Sequence, residues 1–401
     1  MTAFPATELH QRVAWLTVGF DGDAWILGRP DLGVFVAVPE PGAVFVTTLQ
    51  ETGSIADATA RATEVAGEQV DGDDFIEGLT AAGLFEAATE QKTGPDAPGR
   101  IRWIEGVSPG TAARLFGRVG WSCYAAAAVG VLVIMVTRPD LRPSWEDAWF
   151  LPSPGLSLFA GLLLTIAFSA LHEAWHWLAG RAIGVPAVFR LSYRGIYIVF
   201  ETDLTQIVAV PRNRRHGVYL AGTAVDSVIL AIVLGLRLPG PPGVIDDLLA
   251  AAALLQITRI IWQGAALPLR SDSYALLANV LRCHNLYRAT WLTTKARFLR
   301  LTAEEADELA AMSARDRRIA SWFTLPYLAG IAIMTWVLFT IAVPLAVSLG
   351  RWAWERLGSA TLGSFGFWEA LFVVVYVGAE LLLPVALALR ERRMRRSGRL
   401  L

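Results

Sequence analysis

The sequence predicts an all-α polytopic membrane protein with a small N-terminal α+β, winged-helix-like domain. Of its 401 residues, 54% are hydrophobic and only 18% are charged, which is far from the average of soluble proteins. Residues 1–90 hold fifteen acidic side chains against three arginines, a net charge of −12. The rest of the chain holds twenty-one acidic against thirty-two basic residues, a net charge of +11. We therefore expect an acidic head domain joined to a basic, apolar body.

The head domain, residues 1–90, is predicted to form a short strand meander followed by three helices. Alternating apolar residues near 12–20 and 24–37 are interrupted at Asp21-Gly22-Asp23 and at Pro30-Asp31, which indicates strands joined by tight turns. The helical segments are 43–51 with Gly53 as a C-cap, a second helix capped by Ser54 with Asp57, and a third from Asp73 to Gly83.

The end of the head carries a family resemblance. Strands followed by three short helices and the closing Gly83-Leu84-Phe85-Glu86 resemble the PqqD-like peptide-recognition domain of clusters that make ribosomally synthesised, modified peptides. The resemblance implies a peptide or precursor-peptide substrate as partner. The alternative is an ordinary winged-helix-like domain that only docks on the membrane part. Nucleic acid is excluded as a partner, because the head is strongly acidic.

Six apolar runs follow the head, each long enough to cross a bilayer, since about 20 helical residues span its roughly 30 Å hydrocarbon core. They lie near 119–137, 157–179, 217–237, 247–268, 320–347 and 366–389. The runs divide the rest of the chain into a linker and juxtamembrane segment over 91–118, a transmembrane domain over 119–390 and a basic cytoplasmic tail over 391–401.

Basic residues are distributed unequally between the two sides of the predicted membrane domain. Segments on the head's side include Arg212, Arg214, Arg215 and the tail, whereas five arginines lie on the other side: Arg138, Arg142, Arg237, Arg351 and Arg356. The positive-inside rule then predicts a multi-pass protein of the cell membrane, in contact with the lipid bilayer, with both termini in the cytoplasm.

Two segments between the runs are predicted to be membrane-associated without spanning. Residues 193–210 are apolar and rich in β-forming residues but contain Glu201 and Asp203, which favours a β-hairpin buried against protein. Residues 280–318 mix aromatic and basic residues, which predicts an interfacial amphipathic helix and then a soluble helix that begins at Thr302.

The motif most indicative of chemistry is His172-Glu173-Ala174-Trp175-His176, at the end of the second apolar run. The i, i+4 spacing puts both imidazoles on one helical face, so that they can bind one metal ion, and Glu173 can accept a proton from a water molecule. Ionisable residues are costly inside a bilayer and usually mark function. The alternative is that these side chains only hydrogen-bond to neighbouring helices.

A catalytic zinc ion needs a third protein ligand and an open position for water. The candidates are His10 in the head, His216 and His284 in basic segments, and Asp272 after the fourth run. Topology favours Asp272, because this residue and the histidine motif lie toward the same, cytoplasmic side. Two cysteines, Cys123 and Cys283, are too few for a disulfide framework and are interpreted as packing residues.

A membrane H-E-x-x-H followed by an Asp after a Pro-containing turn resembles the site-2 protease superfamily of intramembrane zinc metalloproteases. The resemblance covers about 119–390, and Pro268 and Tyr274 match its peptide zinc metalloprotease subgroup. Where the family has an apolar residue before the Asp and a glycine after it, this chain has Ser271 and Ser273. The resemblance implies Zn²⁺, two histidine ligands, a general base and a carboxylate ligand, namely His172, His176, Glu173 and Asp272.

Three further charged residues lie near the middle of the predicted membrane: Asp226, Arg259 and Glu380. Each is about ten residues, or roughly 15 Å, from the cytoplasmic end of its helix. Equal depth predicts that Arg259 pairs with Asp226 or Glu380, because a lone charge would be costly there. The pair either supports the metal site and its substrate path or only holds helices together.

The leading hypothesis is a zinc metalloendopeptidase that removes the leader from a modified-peptide precursor, with a daptide-like cluster as one candidate. The head would bind the leader as an added strand and raise the precursor's concentration near the metal. One rival is a site-2 protease that cleaves a transmembrane regulator, although the outside loops are short. The other rival is a non-catalytic membrane scaffold with a structural zinc site, which the serines around Asp272 leave open.

Overall fold

The structure is a computed structural model and is mostly helical, with 77% of the described residues in helices. The high helix content confirms the predicted helical class. A small three-stranded antiparallel sheet confirms that the chain also contains strands. The residues that the structure describes are 6–21, 25–29, 34–85, 107–185, 188–194, 197–204, 207–208 and 210–396.

The head begins with a helix and an antiparallel meander. Helix α1 was not predicted from the sequence, whereas the strands lie within the predicted alternating stretches. The elements are α1 (Ala6–Val13), β1 (Thr17–Phe20), β2 (Trp25–Arg29) and β3 (Val34–Val38). The sheet order is β1-β2-β3, with Val18 opposite Leu27 and Leu27 opposite Val36. The predicted turn residues at 22–24 and 30–33 lie outside the described residues.

Three helices follow the sheet: α2 (Glu40–Thr52), α3 (Ile55–Ala66) and α4 (Gly72–Ala81). Helix α2 packs on all three strands, α3 packs on α2, and α4 packs on α3. Helix α2 ends at Gly53, whose φ of 68° favours glycine, and Ser54 accepts a hydrogen bond from the Asp57 amide. Helix α4 begins before the predicted Asp73, because the Asp71 side chain accepts from two amides of its first turn. The shared core includes Leu27, Phe45, Leu49, Ile76 and Phe85.

The predicted linker, 91–118, lies outside the described residues up to position 106. Its last part is helical, since α5 (Pro109–Leu115) starts after the cap Ser108 and is followed by α6 (Arg118–Thr137). The first part of the predicted tail, 391–401, belongs to the last helix, because α15 (Phe365–Arg396) continues into it.

Among the residues that the structure describes, four helical stretches are long and apolar enough to cross a membrane: Pro109–Thr137, Pro154–Ala182, Arg212–Arg237 and Ala314–Ser359. They comprise α5 with α6, then α7 (Pro154–Ala182), α8 (Arg212–Arg237), and α13 (Ala314–Val337) with α14 (Val343–Ser359). The predicted fourth and sixth runs also form helices, namely α9 (Val244–Ala265) and α15. Helix α9 ends earlier than predicted, because Pro268 lies in a tight turn over Leu267–Leu269.

The fifth apolar run differs from its predicted extent. A π-helical turn at Leu338–Ala342 joins α13 to α14, so the helical stretch has 46 residues and ends at Ser359. At about 1.5 Å per residue this is more than twice the roughly 30 Å hydrocarbon thickness. The segment after 347, with Arg351 and Arg356, was predicted to lie outside the span because the apolar run ends there, yet its residues are good helix formers.

Helix α8 lies at the centre of the helical body. Its most apolar window is 44% buried, against 11% or less for the other three candidate spans. It contacts α6, α7, α9 and also α10 (Asp272–Val280). On α6, by contrast, Val129, Leu132 and Val136 are exposed, as expected for a surface that faces lipid.

The predicted hairpin is present between α7 and α8. Strands β4 (Val188–Arg194) and β5 (Tyr197–Asp203) pair antiparallel, with Phe189 opposite Thr202, and β5 contacts α7. The segment after α10 folds as α11 (Leu286–Phe298) and α12 (Ala303–Ala311), and Thr302 caps α12 with Glu305 as predicted. Trp291 and Phe298 are exposed on α11.

Candidate metal centre

The two histidines of the sequence motif lie side by side near the end of α7. His172 and His176 are both buried, and their ring centroids are 4.8 Å apart. Their Nε2 atoms lie 3.2 Å from each other. Two imidazole nitrogens therefore converge on one point, as the i, i+4 spacing predicts.

The other ring nitrogen of each histidine faces an acceptor on α8. His172 Nδ1 lies 2.7 Å from Asp226 Oδ2, and His176 Nδ1 lies 2.8 Å from the carbonyl oxygen of Val218. A carbonyl oxygen and an ionised carboxylate only accept hydrogen bonds, so each neutral imidazole carries its proton on Nδ1. Each Nε2 atom consequently presents a lone pair to the same small volume.

Asp272 brings a third acceptor to this volume from the first residue of α10. Its Oδ2 atom lies 3.0 Å from His172 Nε2 and 3.1 Å from His176 Nε2. The chain reaches this position through Arg270, whose φ of 57° reverses the backbone after the turn that contains Pro268. The three ligand atoms all lie within 4.8 Å of one another.

This geometry fits a divalent metal ion. Three lone-pair atoms in close contact repel one another unless a cation lies between them. Ligands at about 2.0–2.1 Å in a tetrahedral zinc site are roughly 3.3 Å apart. The separations of 3.0, 3.1 and 3.2 Å are close to this value. Histidine and carboxylate ligands together suit zinc among the common metals.

Comparison with known proteins identifies no family. The chain matches no protein-family model, no curated protein and no solved structure. The centre is therefore interpreted from its own atoms, and the resemblance to site-2 proteases stays a hypothesis.

The ligand count favours a catalytic ion over a structural one. Within the described part of the chain, the group of His, Cys, Asp and Glu side chains at this point consists of His172, His176 and Asp272. Structural zinc sites are nearly always closed by four protein ligands, whereas catalytic sites have three and an open position. A three-ligand centre beside a cavity leaves room for a water molecule.

Two of the three charges that were predicted to lie at mid-membrane depth, Asp226 and Arg259, support His172. Arg259 Nε donates to Asp226 Oδ2 at 3.1 Å, and Arg259 Nη1 donates to Ser169 Oγ at 2.8 Å. Asp226 is fully buried, so Arg259 balances its charge where solvent cannot. Asp226 thus fixes the orientation of a ligand histidine, a role that carboxylates commonly have around zinc. Glu380 lines the adjoining cavity with Arg259.

Asp226→Ala is expected to weaken zinc binding by about 10- to 100-fold, the usual cost of losing a carboxylate that orients a histidine ligand. Competition with a chelating dye measures the zinc dissociation constant. Ser227→Ala is the matched control, because the Ser227 hydroxyl bonds only to the Thr223 carbonyl of its own helix. Equal zinc affinity of Asp226→Ala and the control would contradict a supporting role.

Gln263 holds the third ligand and was not predicted from the sequence. Its Nε2 donates to Asp272 Oδ2 at 3.1 Å, and its Oε1 lies 3.4 Å from the Asp272 amide. Ser271 caps α10 and donates from Oγ to the Gln263 carbonyl at 2.8 Å. The serine that departs from the family pattern therefore helps to position Asp272. The sequence feature that could have indicated Gln263 is its position as a polar residue in an apolar run, four residues after Arg259.

Glu173 is held by the hairpin. The amide of Thr202 donates to Glu173 Oε2 at 2.7 Å, and the Thr202 hydroxyl donates to the same oxygen at 2.8 Å. The hydroxyl also lies 3.0 Å from the Glu173 carbonyl oxygen. The carboxylate of Glu173 is therefore oriented by β5, while its neighbours on α7 face the metal position. No feature of the sequence pointed to Thr202.

A glycine on α8 makes room for both imidazoles. A Cβ atom added at Gly222 would overlap the rings of His172 and His176. The close approach of α8 to α7 at this point therefore requires glycine. The sequence signal for this contact is the small-residue segment over 219–224, which precedes Asp226.

Gly222→Ala is expected to displace the histidine rings and to reduce zinc content strongly, although alanine favours a helix by about 1 kcal/mol over glycine. The matched control is Gly235→Ala on the same helix, where an added Cβ meets nothing within 4 Å. Metal analysis and thermal melting of both variants check this. The control should bind zinc normally, and normal zinc content in Gly222→Ala would contradict the packing argument.

The other sequence candidates for a third ligand lie elsewhere. His10 is beside Gly53 in the head, His216 Nδ1 faces the Asn213 carbonyl, and His284 contacts Arg212. Cys283 is buried as a packing residue, and burial raises the pKa of its thiol to about 12.

The metal position adjoins a cavity of about 640 Å³ between α7, α8, α9 and the hairpin. Its wall carries Glu173, His176 and Asp272 together with other polar residues such as Arg259 and Gln263. The apolar or aromatic part of the wall includes Leu162, Ile166, Leu204, Ile207 and Trp262. Its volume is in the range of ligand pockets, about 300–1,000 Å³. A short extended peptide segment fits this combination of size and polarity.

Proposed function

We propose that this protein is an intramembrane zinc metalloendopeptidase of site-2 protease type. The observation that carries the proposal is the convergence of His172 Nε2, His176 Nε2 and Asp272 Oδ2 within 3.0 to 3.2 Å, next to a carboxylate, at the wall of a cavity. Two histidines, one carboxylate ligand and an adjacent free carboxylate form the set that zinc peptidases use for hydrolysis.

The protein's own groups divide the work of hydrolysis. A zinc ion held by the three ligands would acidify water and polarise a carbonyl oxygen. Glu173 accepts the proton of the attacking water and passes it to the nitrogen of the leaving amine. Thr202 holds Glu173 in one orientation, and Gln263 and Asp226 fix two of the ligands. Such preorganisation lowers the cost of reaching the transition state.

The hairpin supports binding of an extended substrate. Helical backbone engages its carbonyl groups in hydrogen bonds, so a peptide must be unwound before cleavage. The Thr202 amide bonds to Glu173 on α7 and therefore points away from β4. Alternate residues of β5 direct backbone groups to this same edge. An unwound segment could pair there while its scissile carbonyl reaches the metal.

The head supports recognition of a separate part of the same substrate. Strands β1 and β3 are the outer strands of its sheet, and each has an edge that no other strand pairs with among the described residues. Such an edge can accept a peptide as an added strand. We propose that the peptide is the leader of a ribosomally synthesised, modified precursor, for example of a daptide-like cluster, and that the protease removes it.

The placement in the membrane belongs to the same proposal. Six spans, formed by α6, α7, α8, α9, α13 and α15, would put both termini and the head in the cytoplasm of a multi-pass cell-membrane protein. The exposed apolar residues of α6 and the basic residues at the start of α8 are consistent with this orientation. The metal centre would then open toward the cytoplasmic side, where the head lies.

The test is cleavage of a precursor peptide by the purified full-length protein, followed by mass spectrometry. A leader peptidase should produce one new terminus, lose activity with a chelator and regain it with added Zn²⁺. Free leader peptide should inhibit by competition, whereas a scrambled leader should not. Cleavage that the free leader leaves unaffected would favour the regulator-cleaving alternative, and zinc binding without any cleavage would favour the scaffold.

A further inference from the structure

A buried ion-pair cluster joins the head to the helical body. Asp21, the residue after β1, contacts two arginines at the start of α8. Arg212 Nε donates to Asp21 Oδ2 at 2.7 Å, and Arg215 Nη2 donates to Asp21 Oδ1 at 2.7 Å. Arg215 Nη1 also lies 3.4 Å from Asp21 Oδ2, which makes this pair a two-point contact. His284 lies 3.9 Å from the same carboxylate and contacts Arg212.

Burial distinguishes this cluster from an ordinary surface pair. The side chains of Asp21, Arg212 and Arg215 are 4%, 11% and 7% exposed. Exposed ion pairs contribute little, but removal of one partner from a buried pair leaves an uncompensated charge away from water. The two-point arginine contact also fixes geometry, because the guanidinium is planar and matches a carboxylate. The cluster therefore holds the end of β1 in the head against the start of α8.

The same arginine holds a wall of the cavity. Arg215 Nε donates to the Val210 carbonyl at 2.6 Å, and Nη2 donates to the Val208 carbonyl at 2.8 Å. These carbonyls belong to the segment between β5 and α8, where Ile207 lines the cavity. One turn further along α8, the Val218 carbonyl accepts from His176 Nδ1. Head, cavity wall and a metal ligand thus meet within the first two turns of α8.

We propose that Asp21 fixes the head on α8 so that the head determines which peptide bond of a bound substrate reaches the metal centre. This inference rests on the proposed peptidase function. A substrate held by a docked head has a defined path length to the cavity, because the start of α8 contacts the head, the cavity wall and His176. Asp21 is accordingly a residue that determines specificity by positioning the head, and it does not contact the reacting atoms.

The docking itself can be measured without any catalysis. Two exposed residues are replaced by cysteine and spin-labelled: Glu68, which lies just after α3 in the head, and Asp307, which lies in α12 of the body. The two labels report the distance between the head and the body. The native cysteines, Cys123 and Cys283, are replaced by alanine in this full-length protein. We expect one narrow distance distribution by pulsed electron resonance. Asp21→Lys should broaden and shift it, because like charges then meet at the start of α8.

Two further variants separate docking from misfolding. Asp21→Asn removes the charge without added bulk and should broaden the distribution less than Asp21→Lys does. Asp57→Asn is the matched control, since Asp57 is an exposed acid on the same domain. The control should keep the narrow distribution. An unchanged distribution in a folded Asp21→Lys, judged by an unaltered gel-filtration profile, would overturn the docking.

Product analysis then tests the effect on specificity. Wild type and Asp57→Asn should yield one main product from a precursor, whereas Asp21→Lys should yield several products at neighbouring bonds. A single unchanged product from Asp21→Lys with a mobile head would overturn the assignment of specificity while the peptidase function stands. Absence of cleavage by wild type would overturn the proposed function and this role together, although the distance measurement would still report on docking.

Discussion

Glu173→Gln is expected to lower the rate of peptide cleavage by about 10²- to 10⁴-fold, the usual contribution of a general acid or base. Glutamine has nearly the same shape and can still accept from the Thr202 amide, but it cannot take up a proton at neutral pH. The metal ligands are unchanged, so zinc content should equal that of wild type. Mass spectrometry of the product over time, with metal analysis of the same sample, measures both quantities.

The control for this variant is Glu304→Gln, an exposed acid at the start of α12, which should cleave at the wild-type rate. A Glu173→Gln protein within tenfold of wild type would show that another group moves the proton. Loss of zinc together with activity would show instead that Glu173 supports the metal and would leave its catalytic role without evidence.

Asp272→Ala is expected to lose most of its bound zinc, from about one ion per chain to roughly a tenth of that after dialysis, because a three-ligand site depends on each ligand. The two remaining Nε2 atoms would bind an ion only weakly. Asp247→Ala is the matched control, an exposed acid in the first turn of α9. Stoichiometric zinc in Asp272→Ala would mean that the third ligand lies elsewhere.

The ligand pair and the third ligand could be predicted for different reasons. The histidine pair follows from local geometry, because residues four apart on a helix always share a face. The prediction of Asp272 depended on topology, because a residue after the fourth apolar run lies on the same side of the predicted membrane as the end of α7. Both arguments use only helix geometry and the side of the membrane. Neither requires knowledge of how the helices pack.

The supporting residues could not be predicted, because they depend on packing between distant segments. Thr202 reaches Glu173 only because β5 lies against α7, and Gln263 reaches Asp272 only because the turn after α9 folds back. The Asp21 contact joins residues 191 positions apart. The equal predicted depth of Asp226, Arg259 and Glu380 suggested that Arg259 pairs with Asp226 or Glu380, and the pair with Asp226 is present. Depth gave no reason to expect that Asp226 also contacts His172.

Errors in the fold have local causes. Helix α1 was missed because its apolar residues run into the alternating pattern that predicts β1. The stretch after 347 was predicted to lie outside the fifth span because the apolar run ends there, although its arginine, leucine and alanine residues favour helix. Both errors arise from the use of hydropathy where intrinsic helix propensity decides.

X-ray absorption at the zinc edge of the purified wild-type protein tests the metal centre most directly. We expect about four nitrogen or oxygen ligands at about 2.0–2.1 Å, with outer-shell scattering from two imidazoles. Three of these ligands are the side chains of His172, His176 and Asp272, and the fourth is a solvent molecule. A protein without zinc, or a first shell with sulfur at about 2.3 Å, would show that these three side chains do not form a zinc centre.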